Sequence, residues 1–574
     1  MKFKQLILPV LAGFGLTSAF SADAENVLID GKTYQMDRLI ERQIGPGTTY
    51  LRLRFPEIPL NINMVIADMT NEYVRVENSV AKESAKGVEG IATAATRLST
   101  SGHKAIAGQN ANFWAVSSQA PDGKMFGSQT RNASIRNGKM VTECNMGPEM
   151  PFGGPVDVTG IMGITPDKDI YVDFCQPSVI VRINNGIALY TVNQCNKGIH
   201  PDEIGMYNSF YGKTKAFQPI APERDSKGYY QAADAGDGIE VLLDLAEGET
   251  WMGGRFIDFV VKEIRDNAGT GTLGEHDLAL VGRGNGRTKL ANAKVGDKVS
   301  LKYAFKFSPK TTPEYPLIET AIGGNLLTMC NGEVMGRCNV ADYDRTTYPR
   351  SLYGTSADHK TLYMMVIDKS TDPVYGKSAG LNTAKASQIA RHFGCSNMLQ
   401  CDGGGSAELY VTDKVINKTT EANPRAVANC LMVFDNAPED TEVAELRIDT
   451  PEEVLQVPVD GTLNPTVLVY NKYGSLIKTL PNGYLLTCSE GLGRVEASKL
   501  IASSTPVFGT ITVSYGGKTV THQVSVGGAV SGIEDVVAGT VVSDDRTYNL
   551  QGIECDDMQT PGIYIRNGEK IVVR

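Results

Sequence analysis

The residues best suited to chemistry are acidic side chains that stand directly after apolar, strand-like runs. Asp402 follows the run 397–401 and precedes three glycines and Ser406. Consecutive glycines carry an entropic cost, which is tolerated where the backbone needs a positive φ or where a ligand comes close. Asp368 ends a second apolar run, 362–367. If the two strands are neighbours, both carboxyls lie on one rim and can act as an acid and base pair.

The 402–406 string has a simpler interpretation as a glycine-rich turn with a capping aspartate. A nucleotide-binding phosphate loop is excluded, because no Gly-Lys-Ser or Gly-Lys-Thr follows. The cysteines and histidines show no metal-binding spacing. The sequence therefore predicts no metal site and no cofactor.

Two helix-turn-strand units are expected to position these residues. In the first, apolar residues between 88 and 98 recur at helical spacing, and the following strand ends in the polar string 109–114. In the second, apolar residues between 386 and 393 predict a helix that stops at Gly394, before the strand 397–401. The pair predicts a pseudo-duplicated α+β core, with a mixed sheet and packed helices, in which both strand ends meet at one site.

Length and charge restrict the class of protein. A chain of 574 residues is expected to hold about two to four domains. The net charge of −10 argues against a nucleic-acid partner, since nucleic acids are bound through a basic face. No apolar run after the N-terminus is long enough to cross a bilayer, so no transmembrane segment is expected.

The two ends of the chain predict export and additional β-rich parts. A basic start, an apolar stretch and an Ala-Asp-Ala string predict a signal peptide over 1–24, and hence a periplasmic, cell-surface or extracellular protein. The main domain is predicted to span 25–438. Short alternating strands predict a small immunoglobulin-like β-sandwich over 440–528. Residues 531–574 resemble the β-rich C-terminal tails that sort secreted bacterial proteins.

Several polar and glycine-containing strings follow one another along the main domain. They include Gln109-Asn110-Ala111-Asn112-Phe113-Trp114, Leu280-Val281-Gly282-Arg283-Gly284, Ala321-Ile322-Gly323-Gly324-Asn325, Pro349-Arg350-Ser351-Leu352-Tyr353-Gly354, the 402–406 string and Arg425-Ala426-Val427-Ala428-Asn429. In type and order they resemble the motifs of the phosphodiester glycosidases. Ala111, Ser351 and Lys369 depart from that pattern, and these departures concern the substrate more than the fold.

The resemblance implies hydrolysis of a glycosyl phosphodiester, with N-acetylglucosamine 1-phosphodiesters as candidate substrates. Cleavage of a glycosidic bond usually needs two carboxylates. A phosphate leaving group also needs its charge stabilised, which the planar fork of arginine can do. The predicted catalytic residues are Asp402, Asp368 and Arg350. The predicted substrate-binding residues are Asn110, Asn112, Arg425, Gly403, Gly404, Gly405 and Ser406.

The sequence also offers further candidate residues and one alternative function. Phe113 or Trp114 could stack on a sugar ring, whereas Glu319 and Glu408 are reserve carboxylates that are expected to be solvated. The alternative function is a non-catalytic cell-surface protein that binds glycans in the same pocket. Such a protein has no need of two positioned aspartates, so the pair favours the enzyme.

Overall fold

Strands dominate the computed structural model of the chain. The structure describes residues 25–114, 129–143, 159–199, 202–217, 238–266, 270–307, 316–339, 341–529, 547–549, 555, 562–566 and 569–573. The predicted signal peptide at 1–24 and most of the predicted tail at 531–574 lie outside the described residues. No helix within the described ranges is long and apolar enough to span a membrane.

The strands follow one another closely along the chain. Up to residue 183 they are β1 (Glu25–Ile29), β2 (Lys32–Gly45), β3 (Thr48–Phe55), β4 (Leu60–Asp68), β5 (Val74–Val80), β6 (Lys104–Asn110), β7 (Ser134–Arg136), β8 (Lys139–Thr142), β9 (Thr159–Ile164) and β10 (Ile170–Ile183). The next group is β11 (Tyr190–Thr191), β12 (Gln194–Cys195), β13 (Ile204–Asn208), β14 (Ile239–Leu245), β15 (Phe256–Asp266), β16 (Leu278–Gly282), β17 (Lys298–Phe307), β18 (Thr320–Gly324), β19 (Leu326–Cys330) and β20 (Glu333–Val334).

The strands that surround the candidate site come later. They are β21 (Arg350–Thr355), β22 (Thr361–Ile367), β23 (Thr371–Asp372), β24 (Gly376–Lys377), β25 (Asn397–Gln400), β26 (Leu409–Val411), β27 (Lys414–Val415) and β28 (Asn429–Asp435). The C-terminal strands are β29 (Glu445–Ile448), β30 (Val454–Val457), β31 (Thr462–Leu463), β32 (Val467–Tyr470), β33 (Leu476–Leu480), β34 (Leu485–Cys488), β35 (Gly493–Glu496), β36 (Lys499–Ala502), β37 (Val507–Tyr515), β38 (Lys518–Val526), β39 (Thr547–Asn549), β40 (Gly562–Arg566) and β41 (Glu569–Val573).

The predicted α+β fold with packed helices is wrong, because the described residues are mostly β. Their α-helices are α1 (Ile91–Leu98), α2 (Asn285–Leu290), α3 (Asp342–Arg345) and α4 (Thr383–His392). The helices predicted from apolar spacing are present as α1 and α4. Helical periodicity identified these two segments correctly. The error was to infer a core of packed helices from them. Many strands between them are buried along most of their length, so their sequences show little alternation.

A nine-stranded sheet carries both predicted aspartates at one edge. Its strand order is β1-β2-β3-β4-β22-β21-β25-β19-β20. β22 and β25 are each antiparallel to β21, which lies between them, so their carboxyl ends reach the same edge. β22 is buried on both faces: Met364 packs in a cluster with Ile106 of β6, and Met365 packs in a cluster with Ile389 of α4. This double burial explains why residues 362–367 read as a continuous apolar run.

A five-stranded sheet carries the other predicted polar strand end. Its order is β27-β26-β6-β28-β5, and all its pairs are antiparallel. Ile91 and Ala95 of α1 pack against Met432 and Phe434 of β28. The sheet therefore has α1 on one face, while residues such as Ile106 and Val433 on its other face join the cluster shared with the nine-stranded sheet. This packing brings β6 close to the edge that carries Asp402.

A twelve-stranded sheet forms the remaining large layer. Its main path runs β12-β13-β16-β14-β15-β17-β10-β9-β18-β7-β8, and β11 pairs with β10. Its core contains Val181, Leu243, Phe259 and Leu301, all nearly inaccessible to solvent. None of the predicted catalytic residues lies on its strands.

The chain divides into two compact units. The first runs up to Glu453 and includes Asn464–Leu486 and Thr512–Thr521. It contains the three large sheets and the sheet β29-β32-β33. The second consists of Val454–Leu463, Thr487–Ile511 and the residues from His522 on, and in it β30 pairs in parallel with the end of β38. The described elements from 445 to 526 are all strands, while the domain boundaries near 438 and the immunoglobulin-like type remain predictions.

Candidate functional site

The ends of β6 and β25 meet, so the two predicted polar segments lie together. The backbone N–H of Asp402 donates to the carbonyl oxygen of Ala111 at 3.0 Å. Asn110 Nδ2 donates to the carbonyl oxygen of Asp402. These bonds confirm that both helix-turn-strand units end at one place. Residues 402–408, with Asn110 and Arg425, are called the glycine-turn site below.

Asn110 fixes the backbone of the glycine-turn site. Its side chain is buried, and its Oδ1 accepts hydrogen bonds from Ser351 Oγ at 2.6 Å and from the backbone N–H of Glu408 at 3.1 Å. Its Nδ2 holds the carbonyl oxygen of Asp402. Both polar atoms of the carboxamide are thus used within the protein. The structure places Asn110 as a clamp on the turn.

Asp402 lies at the start of the turn and has an unusual acidity. Desolvation raises its pKa to about 7, although a hydrogen bond with Ser406 and the positive charge of Arg425 act in the opposite direction. A carboxyl with a pKa in this range can accept or release a proton near neutral pH. Asp402 therefore has the protonation behaviour expected of an acid or base catalyst.

Glu408 is a second carboxyl at the site, and because it is buried, its predicted solvation is wrong. Its side chain is 0% exposed. The backbone N–H of Arg425 donates to Oε1, while the buried Oε2 has no hydrogen-bond partner. Burial raises its pKa to about 8, so it is mostly protonated at neutral pH. The signal in the sequence was its position between Ser406 and the apolar run 409–411, where a solvated carboxylate is not expected.

Arg425 is the accessible cation of the glycine-turn site. Its side chain is 37% exposed. Its Nε donates to Glu421 Oε2 at 3.2 Å, a terminal nitrogen donates to Glu421 Oε1, and the other donates to Ser406 Oγ at 3.3 Å. The charges of Asp402 and Glu408 both act on the guanidinium. One reachable arginine thus adjoins the partly exposed carboxyl of Asp402 and the buried carboxyl of Glu408.

The three glycines let the turn lie close to its neighbours. A Cβ at Gly403 would lie 2.5 Å from the carbonyl oxygen of Pro349. Gly404 has φ of +65°, in the left-handed region that favours glycine. A Cβ at Gly405 would collide with a terminal nitrogen of Arg425. Gly403 and Gly404 thus serve the shape of the turn, while Gly405 faces the arginine.

Arg350 lies inside the protein rather than at the turn surface. Its side chain is 0% exposed. It donates to the carbonyl oxygens of Tyr343, Thr346 and Leu381 and, at 3.0 Å, to Gln400 Oε1. The guanidinium therefore ties residues 343–346 and the loop before α4 to the end of β25.

Asp368 lies on the same sheet edge as Asp402, but the strand between them separates the two backbones by roughly 10 Å. Its carboxyl accepts hydrogen bonds from Asn417 Nδ2 at 3.0 Å and from Asn63 Nδ2 at 3.4 Å. Asn417 Nδ2 also donates to the carbonyl oxygen of Ala407. Burial raises the pKa of Asp368 to about 6. Asp368 thus positions Asn417, which in turn holds the glycine turn at the carbonyl oxygen of Ala407.

Asn112 is held in a network of backbone and asparagine contacts. Its Nδ2 donates to the carbonyl oxygens of Asn132 and Ala133, both at 3.1 Å. Its Oδ1 accepts from the backbone N–H of Gly323 at 3.2 Å and from Asn429 Nδ2 at 2.9 Å. The structure places Asn112 between the large sheets, with its polar atoms already bonded.

Aromatic rings line one side of the turn. Phe113 meets Tyr343 edge to face at 6.3 Å, and Tyr343 meets Tyr348 at 5.0 Å. A Cβ at Gly404 would lie 3.1 Å from the Tyr348 ring. Tyr348 is 37% exposed, so it presents an aromatic face that the sequence analysis did not single out.

The chemical capacity of the site comes from three side chains. Asp402 and Glu408 can exchange protons near neutral pH, and Arg425 can hold an anionic group. In the part of the chain that the structure describes, no group of three or more His, Cys, Asp or Glu residues is placed to hold a metal ion.

The described residues form a mostly β protein in which two carboxyls with raised pKa values lie beside an accessible arginine. Residues 253–434 match the family model of the phosphodiester glycosidases. This match confirms, over that segment, that the chain resembles the phosphodiester glycosidases. The matched segment contains Asp402, Glu408 and Arg425, while Asn110 and Asn112 precede it.

Three solved structures are similar to parts of the chain. A hypothetical protein from Synechocystis is 15% identical, with a TM-score of 0.46, and the match covers 68% of this chain and 62% of that one. A protein from Burkholderia pseudomallei K96243 is 15% identical, with a TM-score of 0.46 and coverages of 66% and 76%. The catalytic domain of zebrafish N-acetylglucosamine-1-phosphodiester alpha-N-acetylglucosaminidase is 10% identical, with a TM-score of 0.31 and coverages of 73% and 95%. No curated protein matches the chain at a significant level.

Proposed function

We propose that the chain hydrolyses a sugar 1-phosphodiester at the bond between the anomeric carbon and the bridging oxygen. Water is added across this bond, which gives a sugar with an anomeric hydroxyl and a phosphate monoester. The observation that carries the proposal is the position of two carboxyls with raised pKa values, the partly exposed Asp402 and the buried Glu408, beside the accessible guanidinium of Arg425. All three lie in the segment that matches the family.

Arg425 binds the phosphate in this proposal. Its planar fork can donate to two phosphate oxygens at once, and Ser406 Oγ lies beside it. The leaving group is the anion of a phosphate monoester, which is weakly basic, so its departure depends more on charge stabilisation than on a strong acid. An arginine next to the scissile bond supplies that stabilisation.

Asp402 and Glu408 divide the proton transfers. With a pKa of about 7, Asp402 has a large ionised fraction at neutral pH and serves as the base or nucleophile. With a pKa of about 8, Glu408 keeps its proton and serves as the donor. Two carboxyls in complementary protonation states are the usual requirement for cleavage of a glycosidic bond.

The other predicted site residues position these three. Arg350 and Asp368 use their polar atoms to hold the segments around the turn. Asn110 clamps the turn itself, and Asn112 holds the sheets on which it stands. We therefore propose positioning roles for these four residues in place of direct contact with the substrate.

A glycan-binding protein without activity is less well supported. The burial of Glu408, with one carboxyl oxygen unpartnered, costs free energy. A binding module gains nothing from that cost. An enzyme gains a group that can donate a proton near neutral pH.

We also propose that the chain is exported after removal of residues 1–24. The basic start, apolar stretch and Ala-Asp-Ala string support this proposal. N-terminal sequencing of the protein isolated from its source is expected to begin near Glu25. A mature protein that begins at Met1 would contradict it.

Hydrolysis in ¹⁸O-labelled water tests the proposed reaction. The substrates are a panel of sugar 1-phosphodiesters, N-acetylglucosamine 1-phosphodiester among them, with aryl glycosides of the same sugars for comparison. We expect at least one phosphodiester to be cleaved, with no label in the phosphate monoester. A label in the phosphate product would mean attack at phosphorus and a different enzyme class. Failure of the folded protein to cleave any of the panel would favour the glycan-binding alternative.

A further inference from the structure

Glu421 occupies the fork of Arg425. Its two carboxylate oxygens accept hydrogen bonds from Nε, at 3.2 Å, and from a terminal nitrogen of the guanidinium. A Cβ at Gly405 would lie 2.5 Å from Glu421 Oε1. The carboxylate thus lies directly over the backbone of the glycine turn, in the room left by the absent side chain of Gly405.

We propose that Glu421 is a built-in competitor for the anionic group that binds at Arg425, and that a phosphate group displaces it. This inference rests on the proposed role of Arg425. A carboxylate and a phosphate present the same pair of oxygens to a guanidinium fork, so the two cannot use Nε and the same terminal nitrogen together. Glu421 therefore sets the affinity of the site for phosphate.

Glu421 is free to move away when a ligand arrives. Its side chain is 43% exposed, and the backbone beneath is held separately, since Thr419 Oγ1 donates to the carbonyl oxygen of Glu421 at 2.9 Å. The carboxylate can rotate into solvent without disturbing the turn. Exposed ion pairs contribute little to stability, so the displacement is easily compensated by a phosphate that binds in its place.

A similar pair elsewhere on the first unit serves as a matched comparison. Arg447 donates through Nε and a terminal nitrogen to both carboxylate oxygens of Glu445, at 2.6 and 3.2 Å. The two side chains are 44% and 51% exposed. The difference lies in the surroundings, because of these two arginines only Arg425 adjoins Ser406 and the carboxyl of Asp402.

The competitor has a consequence for turnover. The phosphate monoester product carries more negative charge than the diester substrate, and it is the stronger ligand for an open arginine fork. A carboxylate that returns to Arg425 after cleavage helps to expel this product. Loss of the Glu421 charge is therefore expected to strengthen inhibition by the monoester product.

Isothermal titration of the full chain with inorganic phosphate tests the inference. We expect Glu421→Gln and Glu421→Ala to bind phosphate about two- to fivefold more tightly than the unaltered protein, the range given by an exposed ion pair. Glu445→Gln is expected to leave the affinity unchanged, and Arg425→Gln to abolish binding. Unchanged phosphate affinity in both Glu421 variants, or an equal gain in phosphate affinity in Glu445→Gln, would contradict the proposal that Glu421 competes with phosphate.

Turnover of the unaltered protein on phosphodiesters separates the two proposals. Tighter phosphate binding in the Glu421 variants without any turnover would support the role of Glu421 and contradict the proposed enzyme activity. Turnover with unchanged phosphate affinity in the Glu421 variants would support the enzyme activity and contradict the role of Glu421.

Discussion

The raised pKa values of Asp402 and Glu408 make the stability of the fold depend on pH. Glu408 has a pKa of about 8 in the folded chain against an ordinary value of 4.5, and Asp402 has one of about 7 against 3.8. At pH values between the ordinary and the raised pKa of each group, the folded chain binds more protons than the unfolded chain. The free energy of unfolding therefore falls as the pH rises from about 5 to 8.

Glu408→Gln is expected to remove much of this loss. Relative to the unaltered protein, its free energy of unfolding should rise between pH 5 and pH 8.5, because each unit of pKa shift corresponds to about 1.4 kcal/mol. Urea unfolding at the two pH values measures the change, with the exposed Asp413→Asn as control. An equal difference at both pH values would mean that Glu408 ionises near its ordinary pKa.

The two arginines predict opposite substrate patterns. Arg425→Lys keeps the charge but loses the planar fork, so kcat/KM for a phosphodiester should fall roughly ten- to a hundredfold while any aryl glycoside activity is little affected. Arg350→Lys cannot reach all the carbonyl oxygens that Arg350 holds. It should lower both activities alike and lower the melting temperature. The same pattern in both variants would remove the phosphate role of Arg425.

Residue type alone could not separate these roles. Arg350 and Arg425 look equivalent in the sequence, yet one is fully buried and the other is accessible. Asn112 looks like a polar group at a strand end, but its partner Asn429 lies 317 positions away. Such partners are fixed by the pairing of distant strands, which no local pattern reveals.

At the scale of elements, the glycine turn depends on the absence of side chains. Gly403→Ala would place a Cβ 2.5 Å from the Pro349 carbonyl oxygen and 2.6 Å from the Tyr343 hydroxyl. The turn should shift, with a loss of activity and a lower melting temperature. Gly336→Ala, where nothing lies within 4 Å of the added Cβ, is the matched control. Equal activity in the two variants would show that the turn tolerates displacement.

The sequence predicted two features best: the two helices, from their apolar periodicity, and the meeting of the polar strand ends. α1 and α4 are present, and the strands that follow them end at one place. The relation between Asp368 and Asp402 was less accessible. Asp368 and Asp402 each follow the end of a strand, and the two strands run in the same direction to one edge of the sheet. However, β21 lies between these strands, and Asn417 donates a hydrogen bond to the carboxyl of Asp368. Sheet order depends on long-range pairing, which also explains why the fold class was mistaken.

At the scale of the whole chain, residues beyond the predicted boundary at 438 pack within the first unit. Arg42 Nε donates to Asp449 Oδ1 at 2.9 Å, and the hydroxyl of the buried Tyr470 donates to the carbonyl oxygen of Gln43 at 2.7 Å. A chain that ends at 438 loses these contacts. The candidate catalytic residues all precede that point.

Truncation after residue 438 is therefore expected to keep turnover but to lower the melting temperature by several °C, because apolar surface and buried hydrogen bonds are lost. A chain that ends at 529 should retain both properties. Calorimetry and a phosphodiester assay on the two truncated chains measure the effect. Loss of turnover in a folded 438-residue chain would mean that residues after the boundary contribute to the site.

The most direct test of the proposed enzyme is the turnover of a sugar 1-phosphodiester by Asp402→Asn and Glu408→Gln. Each change is nearly isosteric and removes one proton-transferring group, so we expect kcat to fall about 10²- to 10⁴-fold in both variants. Asp413→Asn, an exposed carboxyl on the turn after β26, should keep full activity. A loss below about tenfold in both folded variants would contradict the assignment of the carboxyl pair, and with it the proposed mechanism.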